Sequence, residues 1–280
     1  MIAKDPLTSL FLVDIGVWAF RDLLVGYPRR VKNIGIFEPG TISIAAGLSL
    51  SGITPIVYGI SPFIVQRALE QLKLDFVYQK TGGNFITTGA SYDFSTLGYS
   101  HYCPEDVMTL KTLPGFEVLT PATPGQFTCL FKACAKNGVP SYFRMTDYCN
   151  KNEVHIDFGK AKLMKQGKMG TVAVWAEMLD AVIGACSNLD VSILYFTSAV
   201  PFDYEALRSY MDKKLVLCHP FYEGTFSDDI QKLGWNSDIC EIAVPKKVLR
   251  TYGTKGDKDI ELSLTPEAIK NRIQNFLIQP

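Results

Sequence analysis

The sequence predicts an α/β protein with two domains, each built on a mostly parallel sheet flanked by helices. Short apolar segments alternate with helical patterns along most of the 280 residues. This alternation is interrupted once, by the polar stretch NKNEVHIDFGKAKLMKQGKMG at 150–170. A chain of this length with 47% hydrophobic residues can bury one large core or two smaller ones. Together these observations favour two α/β units joined by a linker.

The first half contains six predicted strands with helices between most of them. The strands are 10–14, 33–37, 55–59, 85–89, 116–120 and 141–145, and the helices are 40–51, 62–74, 105–112 and 124–136. Short apolar strands that alternate with helices indicate a parallel sheet covered on both faces. The connection 80–104, rich in Gly, Ser, Thr and Tyr, interrupts the pattern, and loops of this length are usually functional or mobile.

The second half repeats the alternation. Its predicted strands are 171–175, 191–195, 214–218 and 240–244, and its helices are 177–187, 203–210, 225–233 and 265–277. We therefore predict a first domain at 1–150, a linker at 151–164 and a second domain at 165–280.

Composition excludes several classes of protein. The formal net charge is zero, with 28 basic and 28 acidic residues, so nothing indicates binding to nucleic acid or to a membrane surface. No apolar stretch reaches the ~18 residues of a membrane span, and the N-terminal segment is typical of a first strand rather than a signal peptide. The seven scattered cysteines contain no CxxC pair. They favour a reducing cytoplasm and indicate neither a metal site nor a disulfide scaffold.

One carboxylate stands out in NIGIFEPGTISIAAGLSLSG, residues 33–52. An apolar run carries Glu38 into a Pro-Gly step, and a helix of small residues follows at once. A glutamate is rarely buried without a partner. From these residues alone, Glu38 is either a helix-start carboxylate that complements the helix dipole or a functional group. The common phosphate-loop, dinucleotide, zinc-protease and hydrolase motifs are missing from the sequence.

Three segments carry a resemblance to a known family. GIFEPGTISIAAGLSLSGITPIVYGISPFIVQRALEQL (35–72) resembles the pyrimidine-binding domain of transketolases, where a G-I-x-E segment leads into a small-residue helix. SHYCPEDVMTLKTLPGFEVLTPATPGQ (100–126) is similar to the histidine segment and following strand of that domain, and LSLTPEAIKNRI (262–273) to the end of the transketolase C-terminal domain. In this order the chain resembles the C-terminal half of a transketolase, or the β subunit of two-chain thiamine-diphosphate enzymes.

The resemblance implies thiamine diphosphate as cofactor and gives Glu38 a role. A carboxylate hydrogen-bonded to N1′ of the aminopyrimidine favours the imino tautomer that accepts the thiazolium C2 proton. By the resemblance, Glu38 is this cofactor-binding and catalytic residue. The end of a strand is also where α/β sheets place their ligands.

Four further positions follow from the resemblance. Phe63 falls where the family stacks an aromatic ring on the aminopyrimidine, Ile60 on the neighbouring lining position, and Asp14 on an acid near the cofactor. His101 matches the histidine that hydrogen-bonds substrate oxygens, which makes it the second catalytic candidate. Each position also has a purely structural alternative. These are core packing for Phe63 and Ile60, a helix N-cap for Asp14 and simple solvent exposure for His101.

The resemblance also implies a second polypeptide. The family binds the diphosphate through Mg²⁺ held by a GDG…N motif, and this chain has no GDG; its Gly256-Asp257 pair lies in a predicted charged loop. The Mg²⁺ ligands are therefore expected on an N-terminal transketolase-like subunit. Because active sites of this family lie between subunits, an α2β2 heterotetramer is the natural expectation.

The positions that hold a sugar phosphate in related enzymes are changed. Serine, histidine, aspartate and arginine of the family are replaced by Trp18, Gly89, Leu97 and Asp147, while Arg144 lies close enough to substitute in part. Losing these groups removes the charge-assisted bonds on which phosphate recognition depends. Trp18, Leu97 and Arg144 are therefore predicted to line the substrate pocket with His101.

The sequence thus predicts the C-terminal subunit of a split thiamine-diphosphate-dependent transketolase-like enzyme. It would transfer a two-carbon ketol or acyl unit on a substrate other than the simple pentose phosphates. Two alternatives remain: the β subunit of a 2-oxoacid decarboxylating, dehydrogenase or deoxyxylulose-phosphate-synthase-like enzyme, and a non-catalytic paralogue that keeps the fold.

Overall fold

A computed structural model describes residues 1–278 and contains two sheets flanked by helices, which confirms the predicted α/β class. Its strands, in chain order, are β1 Thr8–Leu12, β2 Val31–Asn33, β3 Thr54–Ile60, β4 Gly83–Thr88, β5 Glu117–Leu119, β6 Pro140–Arg144, β7 Lys162–Lys165, β8 Thr171–Trp175, β9 Ser192–Phe196, β10 Ser198–Val200, β11 Leu215–Tyr222 and β12 Ile239–Val244.

The first sheet has the order β10-β5-β6-β4-β3-β1-β2. All its neighbours pair in parallel except β10, which comes from the second half of the chain and pairs antiparallel with β5. The carboxyl ends of the six parallel strands therefore meet at one edge, where α/β sheets bind their ligands. The predicted strand 33–37 is wrong in its bounds, because Gly35 has φ +84° and stops the strand after Asn33.

The helices of the first half connect these strands. They are α1 Arg21–Gly26, α2 Glu38–Leu50, α3 Ser61–Val65, α4 Leu69–Gln71, α5 Asp106–Leu110 and α6 Pro124–Cys134, with a π-helix at Leu72–Tyr78 that continues α4. The single helix predicted at 62–74 is therefore wrong: the segment consists of α3, α4 and the π-helix. The short α1 has no counterpart among the predicted elements.

The second sheet has the order β12-β11-β8-β9-β7, with β7 antiparallel to β9 and the other neighbours parallel. Its helices are α7 Leu179–Ala185, α8 Tyr204–Arg208, α9 Ser227–Leu233, α10 Lys255–Glu261 and α11 Pro266–Ile278. Gly256 and Asp257 lie in α10 and not in the predicted loop. A reciprocal capping box between Thr254 and Asp257 starts this helix.

One hydrophobic cluster extends through both sheets. It includes Phe85 and Phe116 of the first half, and Trp175 of β8 with the rings of Phe196 and Phe226 stacked at 4.5 and 4.1 Å. Together with β10, this cluster joins the two halves into one packed body. The domain and linker bounds stay a prediction. No helix within residues 1–278 is long and apolar enough to cross a membrane.

Candidate functional site

Glu38 is the first residue of α2, at the edge where the parallel strands end. Only 2% of its side chain is exposed. The next residues, Pro39 and Gly40, form the first helical turn, and a Cβ at Gly40 would collide with the ring of Phe37. The missing side chain at Gly40 therefore leaves room for the Phe37 ring against the first turn of α2. Glu38 stands at the N-terminus of this helix, where the helix dipole favours negative charge.

Arg67 is the ion-pair partner of Glu38. Its Nη1 donates to the Glu38 Oε2 at 2.8 Å, and its guanidinium carbon lies 4.2 Å from the centre of the Phe63 ring. Phe63 belongs to α3, which follows β3 directly. The Ser61 hydroxyl fixes the start of α3 by donating to Thr87 at 2.9 Å in neighbouring β4. The Arg67 guanidinium thus joins the carboxylate at the start of α2 to the aromatic ring of α3.

His101 completes this group from the long connection between β4 and α5. Its ring lies edge-on to Phe63, with ring centres 5.2 Å apart, and its Nδ1 is 3.0 Å from the Ser100 hydroxyl. Phe94 packs on another side at 6.5 Å. The structure therefore brings Glu38, Phe63 and His101 into one continuous set of contacts.

The second domain holds the loop that carries His101. The Tyr92 hydroxyl donates to Asp259 of α10 at 2.7 Å, and the Tyr222 amide donates to the Pro104 carbonyl at 2.9 Å. The Ser91 hydroxyl donates to the carbonyl of Pro220. Each end of the 90–104 segment is thus anchored on the second domain.

The other predicted cofactor residues lie nearby on the same edge of the sheet. Asp14 follows β1 with φ +59° and is exposed. The side-chain amide of Asn33 donates to the Asp14 carboxylate at 2.9 Å, and the backbone amide of Asp14 donates to the Asn33 side-chain oxygen at 3.0 Å. This pair locks the ends of β1 and β2 together. Ile60 is half-buried at the end of β3, immediately before the helix that carries Phe63.

Two predicted substrate residues are on the surface. Trp18 is 78% exposed after β1, with the Arg21 guanidinium 4.3 Å from its ring centre, and Leu97 is 51% exposed in the His101 loop. Both are large apolar side chains that water contacts in this chain. They can serve as walls for a substrate or a partner.

Arg144 is not part of this group. It is enclosed in the interior, where its Nε donates to Asp106 at 3.0 Å and its Nη1 to Glu177 at 3.5 Å, and its guanidinium also donates to the Ser91 hydroxyl. Burial raises the pKa of Asp106, and the nearby guanidinium opposes that rise. The Arg144 guanidinium thus serves as the cation of a core ion pair, and its place in the substrate pocket stays a prediction.

A carboxyl beside this pair has an unusual proton affinity. Burial and the charge of Glu177 raise the pKa of Asp93 to about 7, against the opposing effect of Arg144. The Asp93 carboxylate accepts a hydrogen bond from the backbone amide of Asp147 at 3.2 Å. Because Asp93 lies in the loop that carries His101, the charge state of this loop changes near neutral pH.

Sequence reasoning missed Arg67. Phe63 and Arg67 are four residues apart, and such pairs face each other on a helix. The predicted helix 62–74 contained this signal, although the observed segment is shorter. The side chain of the neighbouring Gln66 donates a hydrogen bond to Glu105.

The chain matches a family model and several known proteins. The family model for the transketolase pyrimidine-binding domain matches residues 1–147. The chain belongs to the transketolase family. It is 31% identical to an uncharacterised 33.6 kDa protein in the fasciation locus of Rhodococcoides fascians, over 99% of this chain and 91% of that protein.

Proteins named as transketolase subunits are also among the relatives. An apulose-4-phosphate transketolase subunit of Actinobacillus succinogenes is 27% identical over 65% of this chain, and the match spans 61% of that protein. A solved structure of a split-gene transketolase, an inactive β4 tetramer, superposes with a TM-score of 0.86 at 21% identity, over 98% of this chain and 93% of that one. This likeness shows that the fold is that of the transketolase C-terminal half.

Proposed function

We propose that this chain is the C-terminal subunit of a two-chain, thiamine-diphosphate-dependent transketolase-like enzyme, and that it supplies the aminopyrimidine side of the active site. One observation carries the proposal. The Glu38 side chain is only 2% exposed at the edge of the sheet where the parallel strands end. The Arg67 guanidinium that pairs with it also lies over the ring of Phe63, and Phe63 contacts His101. A buried carboxylate beside an aromatic face suits a flat heterocycle with hydrogen-bonding nitrogens.

The residues at the site fit the cofactor. When bound, thiamine diphosphate supplies a carbon nucleophile that attacks a substrate carbonyl. Glu38 would hold the aminopyrimidine N1′ and share a proton with it, Phe63 would offer its ring face, and Ile60 would line the same side. Asp14 would contribute a charge nearby, and His101 would bond the substrate oxygen beside the reacting carbon.

We assign the diphosphate and Mg²⁺ to a separate N-terminal subunit with a GDG…N motif, in an α2β2 assembly. Within residues 1–278 the side chains form no cluster of three or more acidic, histidine or cysteine groups that could hold a metal ion. The relatives that are named as transketolase subunits support a second chain. We place the enzyme in the cytoplasm, in keeping with its seven free cysteines.

The substrate in this proposal is not a simple pentose phosphate. Gly89 has φ +78°, and a Cβ there would lie 2.6 Å from the Phe94 ring, so the family histidine would not fit this backbone. Asp147 is exposed and would repel a phosphate. Trp18 and Leu97 instead offer apolar walls. In the reconstituted enzyme we expect kcat/KM for xylulose 5-phosphate with ribose 5-phosphate to stay below ~10⁴ M⁻¹s⁻¹, the low end of ordinary enzymes.

Exchange of the C2 proton of bound thiamine diphosphate, followed by NMR in the reconstituted two-chain enzyme, tests the role of Glu38. Glu38→Gln keeps the shape of the side chain but cannot take up a proton, and we expect exchange and turnover to fall at least ~10²-fold. The exposed Glu70→Gln is the matched control and should leave both rates unchanged. Exchange at the wild-type rate in Glu38→Gln would contradict the proposed function.

A further inference from the structure

Arg67 contacts both of the residues that the proposed function assigns to the aminopyrimidine, Glu38 and Phe63. The Arg67 guanidinium donates to the carboxylate of Glu38 at 2.8 Å and lies over the ring of Phe63 at 4.2 Å. A guanidinium is flat, carries N–H donors and stacks on aromatic rings. It therefore offers Glu38 and Phe63 the same two kinds of contact as a flat aminopyrimidine.

We propose that Arg67 is a placeholder: it fills the aminopyrimidine position of the cofactor-free chain and leaves that position when thiamine diphosphate binds. The inference rests on the proposed function, because it takes Glu38 and Phe63 as the cofactor contacts. In this proposal the cofactor uses the ring face and the carboxylate oxygen that Arg67 uses in the free chain. Two flat groups cannot hold both together, so the cofactor displaces the guanidinium.

The burial of Glu38 explains why a placeholder is useful. Glu38 is 2% exposed, and an unpaired buried carboxylate is strongly unfavourable. Arg67 satisfies it until the cofactor does so, and the carboxylate exchanges one hydrogen-bonding partner for another.

Arg67 itself can leave without disturbing the core. Its side chain is 44% exposed, and among the contacts of residues 1–278 its polar partner is Glu38. Rotation about its side-chain bonds brings the guanidinium into solvent. Since a solvated cation requires no new protein partner, the displacement needs no movement of α2 or α3.

The opposite arrangement makes the opposite prediction. If Arg67 stayed at the site and contacted the bound cofactor, its removal would weaken cofactor binding. If Arg67 competes with the cofactor, its removal strengthens binding, because the cofactor no longer has to break an ion pair and a ring contact. The sign of the change in Kd therefore separates the two arrangements.

The test measures the Kd of thiamine diphosphate with Mg²⁺ for the reconstituted complex by calorimetry. Arg67→Met keeps the apolar length of the side chain and removes the guanidinium. Because the cofactor then no longer has to break a charge-assisted hydrogen bond, we expect its Kd to be at least about tenfold lower than in the wild type. Arg208→Met is the control, since its guanidinium also lies 2.8 Å from a carboxylate, that of Glu205, but on the exposed face of α8. Its Kd should equal that of the wild type.

A second measurement needs only the full chain. The probe is 4-amino-2-methylpyrimidine, titrated while the imidazole NMR signals of His101 are followed. Arg67→Met should bind the probe more tightly than the wild type. Arg67→Gln, which keeps a neutral donor to Glu38, serves as the second variant if thermal unfolding shows that Arg67→Met is less stable.

The outcomes are distinct. An unchanged or higher Kd for both the cofactor and the probe in Arg67→Met overturns the placeholder role and leaves the proposed function intact. A wild-type complex that binds no thiamine diphosphate overturns the proposed function. In that case the probe titration still decides whether Arg67 blocks the surface formed by Glu38 and Phe63.

Discussion

Replacing Arg144 is expected to destabilise the fold rather than to impair substrate binding. The Arg144 guanidinium is fully buried and pairs with Asp106 at 3.0 Å and Glu177 at 3.5 Å, with the Phe221 ring 4.8 Å away. Arg144→Met fills most of the volume but leaves two buried carboxylates without their cation. Removing one partner of a buried ion pair costs about 3–5 kcal/mol of unfolding free energy.

Urea unfolding followed by circular dichroism measures this loss in the full chain. Arg208→Met removes an exposed guanidinium from an ion pair on α8 and should change the unfolding free energy by less than ~1 kcal/mol. A loss below ~1 kcal/mol for Arg144→Met, together with a raised KM in the reconstituted enzyme, would refute the reasoning. It would show that the guanidinium turns outward to the substrate.

Three further outcomes are expected. In the folded chain the pKa of Asp93 is raised from 3.8 to about 7, so between these values the folded state binds more protons than the unfolded state. The unfolding free energy should therefore fall as the pH rises from about 4 to about 7. Asp93→Asn should flatten this dependence in urea titrations at several pH values. Gly89→Ala forces a Cβ into a φ of +78° and against Phe94, so urea unfolding should show a loss of about 1–3 kcal/mol, whereas Gly184→Ala, where the space is open, should not. Calorimetry of the chain alone should show negligible binding of thiamine diphosphate and Mg²⁺, since we assign the diphosphate ligands to the partner; micromolar affinity would contradict that assignment.

The regular elements were predictable where burial and periodicity agree. Strands β3, β4, β6 and β8 are short apolar runs with both faces covered, and they lie within two residues of their predicted positions. The strand predicted at 33–37 failed for a physical reason. Ile36 and Phe37 are apolar, yet they are 72% and 57% exposed beside Glu38, so their hydrophobicity reflects the rim of the site and not a sheet.

Other features depend on the tertiary structure. The short strand β10 pairs with a strand some 80 positions earlier, which no local pattern reveals. The interior position of Arg144 likewise follows from Asp106 and Glu177, which approach it from different parts of the chain. Helix α10 was missed, because we predicted a loop at Gly256-Asp257, although Thr254 and Asp257 have the spacing of a capping box. Glu38, Phe63 and His101 came from the family resemblance, and their contacts in the structure are compatible with it.

The antiparallel pairing of β10 with β5 bears on how this chain can be cut or recombined. Residues 1–150 expressed as a fragment would lack Ser198–Val200 and would present β5 as an open edge strand, the kind of edge that templates aggregation. A chimaera that takes residues 165–280 from a relative would bring a foreign edge strand into the first sheet. The two halves are therefore poor modules for exchange, and a functional swap has to carry the 198–200 segment along with the sheet it completes.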